Sequence, residues 1–276
     1  MDAVNDYEIS YTCSLHPKEP DTRANVLGKW AREQEHCVAE LIDEYEHDFD
    51  VSYGPQKCDI WYPKNHVSNG NVHVFTHGGY WVEFNRRTYC SIVKPHLESG
   101  AIVVMVGYTY AKVIPLDQIV EQVKTAIQFA ADRFPNATIT ISGHSAGGHL
   151  TAKALESPEI QRLVKSAVLM TPVFEVVPLI NTSLGREIKL TEPLARKMNV
   201  DWRKVAEFRG DILIVAVEFD APSLKKQLTD FGRRLSELKD NVKVERFDED
   251  HFTIATKMHD PNSEIAQTIV SFLYKF

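Results

Sequence analysis

Thr138-Ile139-Thr140-Ile141-Ser142-Gly143-His144-Ser145-Ala146-Gly147-Gly148-His149-Leu150 is the stretch that decides the fold. Its first half is β-branched and reads as a strand. Residues 148–155 read as a helix. Between the two stands Gly143-His144-Ser145-Ala146-Gly147, a G-x-S-x-G motif. Five residues with three fixed recur by chance, but a strand, a sharp turn and a helix together form the setting of a nucleophile elbow. Such a turn strains the serine backbone and leaves no space for neighbouring Cβ atoms, which accounts for the glycines. The helix N-terminus adds positive potential where negative charge would develop. Ser145 is therefore the candidate nucleophile. His144 and His149 have no carboxylate or thiol at ligand spacing, and H-E-x-x-H is absent, so they are expected to pack around the site.

Outward from that elbow, short β-branched runs alternate with helical patterns. Strands are expected at 58–62, 71–76, 101–107, 138–142, 166–171, 212–217 and 242–247. Several are continuously apolar, as strands buried on both faces must be. Asp117 and Ser223 are read as helix caps, and 263–274 as a last helix. This alternation implies an α/β fold with a doubly wound, mostly parallel sheet. At 276 residues, one domain spanning 1–276 is expected. Two segments fall outside the rhythm: a helical pattern over 22–47 and an insertion over 172–209 that holds Pro172, Pro178 and Pro193. Both are candidates for a small cap over the active-site edge.

Acyl transfer needs two preorganised N–H donors for the developing oxyanion. Ala146, directly after the nucleophile, supplies one. His77-Gly78-Gly79-Tyr80-Trp81 follows an expected strand and forms an H-G-G loop, in which Gly78 and Gly79 can turn backbone N–H groups inward. The remaining partners should follow in the order acid, then histidine, each on a loop after a strand. Asp220 fits the acid, with Glu218 its rival at the same strand end. Only His251 and His259 follow it, and His251 sits just past the 242–247 strand, whereas His259 lies beside Asp260-Pro261 in what reads as a surface turn. His251 would take the Ser145 proton while Asp220 holds its tautomer. Tyr80 and Trp81 could wall a pocket for an aryl leaving group or simply pack in the core.

Composition narrows the rest. A formal charge of −7 and the lack of a Lys/Arg block argue against nucleic acid as a partner. The longest apolar run, 101–106, is far short of a membrane span. Cys13, Cys37, Cys58 and Cys90 form no C-x-x-C pair, and residues 1–6 resemble no secretory signal. The expectation is a cytoplasmic protein with reduced cysteines, no metal, no cofactor and a small-molecule substrate. A homodimer is compatible with these features.

With these residues in place the chain resembles the arylformamidase (kynurenine formamidase) family of α/β-hydrolases. The resemblance rests on His77-Gly78-Gly79-Tyr80-Trp81, Gly143-His144-Ser145-Ala146-Gly147, Asp220-Ala221-Pro222, Asp250-His251-Phe252 and the 178–184 stretch, and runs from about Ser52 to the end. It departs at Pro172-Val173-Phe174-Glu175-Val176-Val177, where the family reads closer to G-x-Y-D-L. It implies an α/β-hydrolase fold and hydrolysis of N-formyl-L-kynurenine to L-kynurenine and formate, in tryptophan catabolism. Two other readings keep the fold: a general small-acyl carboxylesterase of the hormone-sensitive-lipase-like type, and a non-catalytic hydrolase-fold binding protein. The second should have lost a triad member, and none is missing.

Overall fold

The structure is a computed structural model, and it describes residues 6–274. Eight strands form one sheet: β1 (His47–Tyr53), β2 (Gln56–Trp61), β3 (Asn71–Thr76), β4 (Ile102–Val106), β5 (Thr138–His144), β6 (Val164–Met170), β7 (Asp211–Phe219) and β8 (Val242–Asp250). Their order is β1-β2-β4-β3-β5-β6-β7-β8. β2 is antiparallel to β1 and β4, and every later pairing is parallel. The doubly wound, mostly parallel sheet expected from the strand-helix rhythm is present.

The apolar strands serve two cores at once, because successive side chains point to opposite faces. Val104, Val106, Ile139, Ile141, Ile212 and Ile214 face one cluster, with the helices Leu116–Arg133, Ala146–Ala154 and Pro222–Ser236. Val103, Met105, Val168, Met170, Leu213 and Val215 face the other, with Arg23–Glu44 and Glu264–Leu273. Both faces are buried, which is why the sequence of these strands does not alternate.

Several expectations need correction. β1 was absent from the expected strands although His47-Asp48-Phe49-Asp50-Val51-Ser52-Tyr53 alternates in burial. Asp48 and Asp50 are poor strand formers, and the helical pattern expected over 22–47 runs into its first residue. Asp117 and Ser223 are not caps: their helices start at Leu116 and Pro222, one residue earlier in each case. Asp117 instead pairs with Lys197, and the Ser223 N–H donates to the Ser10 carbonyl. Ser263 does cap its helix, accepting from the Ala266 N–H. No helix among the described residues is long and apolar enough to cross a membrane.

The register places the loops that matter. Thr76 at the end of β3 lies beside Gly143 of β5, so the loop after β3 and the elbow after β5 leave the sheet at one level. Phe219 of β7 lies beside Asp250 of β8, which brings the next residues, Asp220 and His251, together. All four loops sit at the carboxyl ends of parallel strands, where open α/β sheets bind their ligands.

Candidate active site

Ser145 occupies φ 56°, ψ −122°, a backbone region that costs about 1–3 kcal/mol and persists only where its surroundings over-determine it. They do so here. Its N–H donates to the Met170 carbonyl at 2.8 Å, and its carbonyl accepts from the His149 N–H at 3.0 Å. Behind it, a Cβ on Gly147 would lie 2.0 Å from the Thr76 carbonyl oxygen, so only glycine lets the elbow close onto β3. Ala146 opens the following helix, and its N–H has no intrahelical acceptor.

The loop after β3 folds onto the same spot. A Cβ on Gly78 would come within 3.1 Å of the Ser145 Cβ. Gly79 has φ +103° and takes N–H donations from Val82 and Glu83 onto its carbonyl, making a tight turn that a side chain would obstruct. His77 braces this loop. Its Nδ1 donates to the Gly78 carbonyl at 2.8 Å, its ring stacks on Tyr108 at 4.1 Å, and burial pulls its pKa down to about 4, so it stays neutral. Gly78 thus approaches Ser145, Gly79 lines one cavity with it, and Ala146 follows it in the chain.

Asp220 and His251 are joined: the His251 Nδ1 donates to Asp220 Oδ2 at 2.8 Å, and both side chains are buried. Asp220 Oδ1 accepts from the Ala221 N–H at 2.7 Å, which fixes the carboxylate plane. Glu218 is at the surface and pairs with Lys225 at 3.6 Å and Arg246 at 3.7 Å. His259 pairs with Glu40. Neither rival approaches the site.

His144 connects the two halves of the site. Burial, reinforced by the neighbouring His251, holds its pKa well below the ordinary value. The neutral ring donates from Nε2 to the His251 carbonyl at 2.8 Å, which leaves Nδ1 to accept from the Tyr89 hydroxyl at 3.1 Å. His149 stays neutral for the same reason, with burial bringing its pKa to about 3, and its Nε2 donates to the Met198 carbonyl. Both histidines brace the site, as expected from the missing ligand spacing.

Ser145 and His251 line a cavity of about 480 Å³ including its mouth. Tyr80 lies on its wall with Phe84 and Phe252. Trp81, paired with Tyr80 in the sequence reading, does not. It is fully buried, with its ring against His149 at 5.0 Å and its carbonyl accepting from the Ala111 N–H, and it supports the loop from behind. Both residues have positive φ, and the two rings meet edge to face at 6.0 Å. A wider hollow at the other end of β7 and β8, beside Asp211 and Val242, contains none of these groups.

The cover of the cavity also departs from expectation. The segment ahead of and into the helix Arg23–Glu44 supplies Thr12, Cys13, Ser14, Arg23 and Leu27 to the lining. The 172–209 insertion supplies no lining residue. Cys13 was missed altogether. Its thiol lies within 4.8 Å of ligand atoms of Asp220 and His251, a trio of metal-binding residue types. Burial, and then the Asp220 charge, keep that thiol protonated, and a metal would have to displace the Asp220–His251 hydrogen bond. Asp250, quoted above only as part of the motif around His251, has a structural role of its own. It accepts from Phe252 and Thr253 N–H groups at 2.9 and 2.8 Å and shapes the turn that carries His251. The Asp250-His251-Phe252-Thr253 pattern is an Asx turn signal that the sequence does contain.

Comparisons with known proteins agree with this architecture. Residues 58–167 match the BD-FAE family model. Kynurenine formamidase of Danio rerio is 26% identical over 239 residues, covering 82% of each chain. Kynurenine formamidase of Salmo salar is 26% identical over 240 residues, covering 82% of this chain and 81% of its own. The chain is thus similar over most of its length to kynurenine formamidases, and it has the α/β-hydrolase fold. A hyperthermophilic esterase from the archaeon Pyrobaculum calidifontis superposes with a TM-score of 0.72 at 18% identity, covering 91% of this chain and 93% of its own, and shares the fold. The HGGYW loop and the elbow both fall inside the matched 58–167 region, whereas Asp220 and His251 lie beyond it.

Proposed function

We propose that this chain is a serine hydrolase that cleaves the formamide of N-formyl-L-kynurenine to L-kynurenine and formate, a step of tryptophan catabolism. The observation that carries the reading is His251, held by Asp220 and lining one cavity with the strained Ser145, in a chain similar to kynurenine formamidases. Ser145 Oγ attacks the formyl carbon while His251 Nε2 takes its proton, and Asp220 steadies the imidazolium. The tetrahedral oxygen anion lies against the N–H groups of Gly79 and Ala146, with Gly78 completing the loop. Collapse breaks the C–N bond as His251 returns the proton to the aryl nitrogen, releasing the amine. Water, deprotonated by His251, then cleaves the formyl-Ser145 ester to formate. The formyl group is the smallest acyl group, so the acyl side needs only a shallow space beside the serine. A narrow cavity with buried catalytic groups suits that demand.

The esterase neighbour favours a second reading, a small-acyl carboxylesterase with the same residues and a different pocket preference. Parallel kcat/KM measurements on N-formylkynurenine and a short-chain aryl ester decide between them. Formate release with a kcat/KM for the formamide at or above that for the ester supports the first reading. Turnover of the ester alone leaves only the second.

A further inference from the structure

The lining of the catalytic cavity changes character from floor to mouth. Ser145 and His251 at the floor are buried, Tyr80, Phe84 and Phe252 on the walls are half-buried, and Arg23 and Glu83 are exposed. The walls are held in place: Phe84 and Phe252 pack on the Trp30 ring at 4.6 and 5.9 Å. The two outer residues carry opposite full charges, and among the described residues neither forms an ion pair or a side-chain hydrogen bond. Nearby charges are otherwise committed. Lys29 pairs with Asp21, Lys18 with Asp248, and Lys112, which feels Glu83 through space, pairs directly with Glu187. The order along the cavity is thus a nucleophile, an aromatic sleeve, and an exposed cation and an exposed anion that have no ion-pair partner among the described residues.

We propose that Arg23 and Glu83 form a recognition subsite for the α-amino-acid head of an acylated arylamine. Arg23 receives the carboxylate and Glu83 the ammonium group, while the aryl ring lies between the aromatic walls and the acyl group reaches Ser145. This names the substrate class of the site and rests on the formamidase reading above. The chemistry matches each end. A guanidinium offers a planar fork of donors that suits a carboxylate, and a carboxylate accepts from an ammonium. A simple aliphatic ester offers neither charge, so it forgoes both charge-assisted contacts and the subsite favours the amino-acid substrate.

Two measurements test it on the full chain. The first is the ratio of kcat/KM for N-formylkynurenine to that for N-formyl-2-aminoacetophenone, which keeps the aryl formamide and lacks the amino-acid head. Loss of one charge-assisted contact in Arg23→Ala should lower that ratio by roughly tenfold or more, and Glu83→Gln should lower it less, with Arg23→Lys recovering part of the loss. A ratio that stays put in both variants overturns the proposal and leaves the formamidase reading intact. The second is calorimetric binding of L-kynurenine itself, which needs no turnover. Binding to wild type that weakens roughly tenfold in Arg23→Ala supports the subsite, and equal binding in both proteins, or none in wild type, overturns it even where formamide is hydrolysed. Absence of formate release by wild type fails the formamidase reading separately, and the binding measurement then decides the subsite alone.

Discussion

Residues 6–27 and the insertion after β6 both lie outside the sheet, yet they are held in opposite ways. The insertion is anchored from beneath. Phe174 stacks on Phe231 at 3.7 Å, Gln227 Oε1 accepts from the Phe174 and Glu175 N–H groups, and Asn199 Oδ1 accepts from Val176 and Val177. Leu179, Met198 and Val205 are buried in the core. The N-terminal segment has one buried anchor, Cys13, and the Tyr80 hydroxyl donates to the Tyr11 carbonyl; its other ties are spaced along it, Tyr7 to the Pro178 carbonyl, Glu8 to Ser183, Ser10 to Ser223 and Lys18 to Asp248 and Asp250. The heavily buttressed region contributes nothing to the cavity lining, while the lightly tied one forms part of it. Segments that shape a ligand site are drawn from the low-stability end of a structure, and this pair follows that rule.

The comparison presupposes that chemistry is confined to the floor and that the two covering regions only shape access. The largest test of that is Ser145→Ala, expected to leave a folded protein with activity down roughly 10⁴–10⁶-fold. His251→Ala should fall in the same range, and the double variant should be little worse than either. A sulfonyl fluoride should add its mass at Ser145, and labelling of a serine in either covering region would break the division. Asp220→Asn comes next, with a loss of roughly 10³–10⁴-fold and nearly unchanged substrate binding. Glu218→Gln should be mild. Exchange of those two results would move the acid to the rim and undo the assignment.

The floor was legible because each part has a local sequence signature. The elbow needs glycine at Gly147 and a serine between strand and helix, the donor loop needs Gly78-Gly79, and the continuously apolar β5, β6 and β7 announce a parallel sheet. The covering regions have no such signature. Nothing in Thr12-Cys13-Ser14 marks it as lining, because its place is set by contacts with residues more than a hundred positions away, such as Pro178, Ser183 and Ser223. The length and prolines of 172–209 suggested a cap, but length does not encode which face an insertion covers. Tyr80 and Trp81 show the same limit on a smaller scale. The two adjacent aromatics read alike, yet one ring lines the cavity and the other is buried in the core.

Trp81 therefore sharpens the comparison from the structural side. Trp81→Ala should cost about 3–5 kcal/mol of stability, as loss of a fully buried aromatic does. The kcat/KM ratio between N-formylkynurenine and a small aliphatic ester should stay unchanged, since the ring lies behind the wall. Chemical denaturation and the paired kinetics check the two halves, and a changed ratio with little loss of stability would return Trp81 to the pocket. The buried His149 tests the insertion's anchor through pH. Its pKa of about 3 lies below the ordinary histidine value of about 6.5, so below that pH the unfolded chain binds a proton that the folded chain does not. Its contribution to stability is present above about pH 6.5 and is lost at about 1.4 kcal/mol per unit as pH falls toward 3. His149→Gln should flatten the wild-type slope between pH 6 and 4 by that amount, and an unchanged slope would show that the ring is already protonated in the fold.

The smallest effect concerns the ties of the N-terminal segment. Ser183 donates from its hydroxyl, and also from its N–H at 3.2 Å, to Glu8 Oε1 in an exposed contact, so Ser183→Ala removes one charge-assisted bond at the surface. Contacts of this kind contribute on the order of 1 kcal/mol or less once solvent competes, which corresponds to no more than a several-fold rise in the open population. Hydrogen exchange at Leu15 and His16, whose N–H groups donate to Thr12 and Cys13, should accelerate by that factor. Amides of β5 and β6, protected by the sheet, should exchange as in wild type. Because Cys13 and Thr12 line the cavity, freer motion there should change KM by a similar several-fold factor while kcat, set at the floor, holds. Acceleration in the strands as well would mean that the segment is part of the global unfolding unit. The distinction between a buttressed insertion and a lightly tied cover would then fail, and both regions would have to be counted as scaffold.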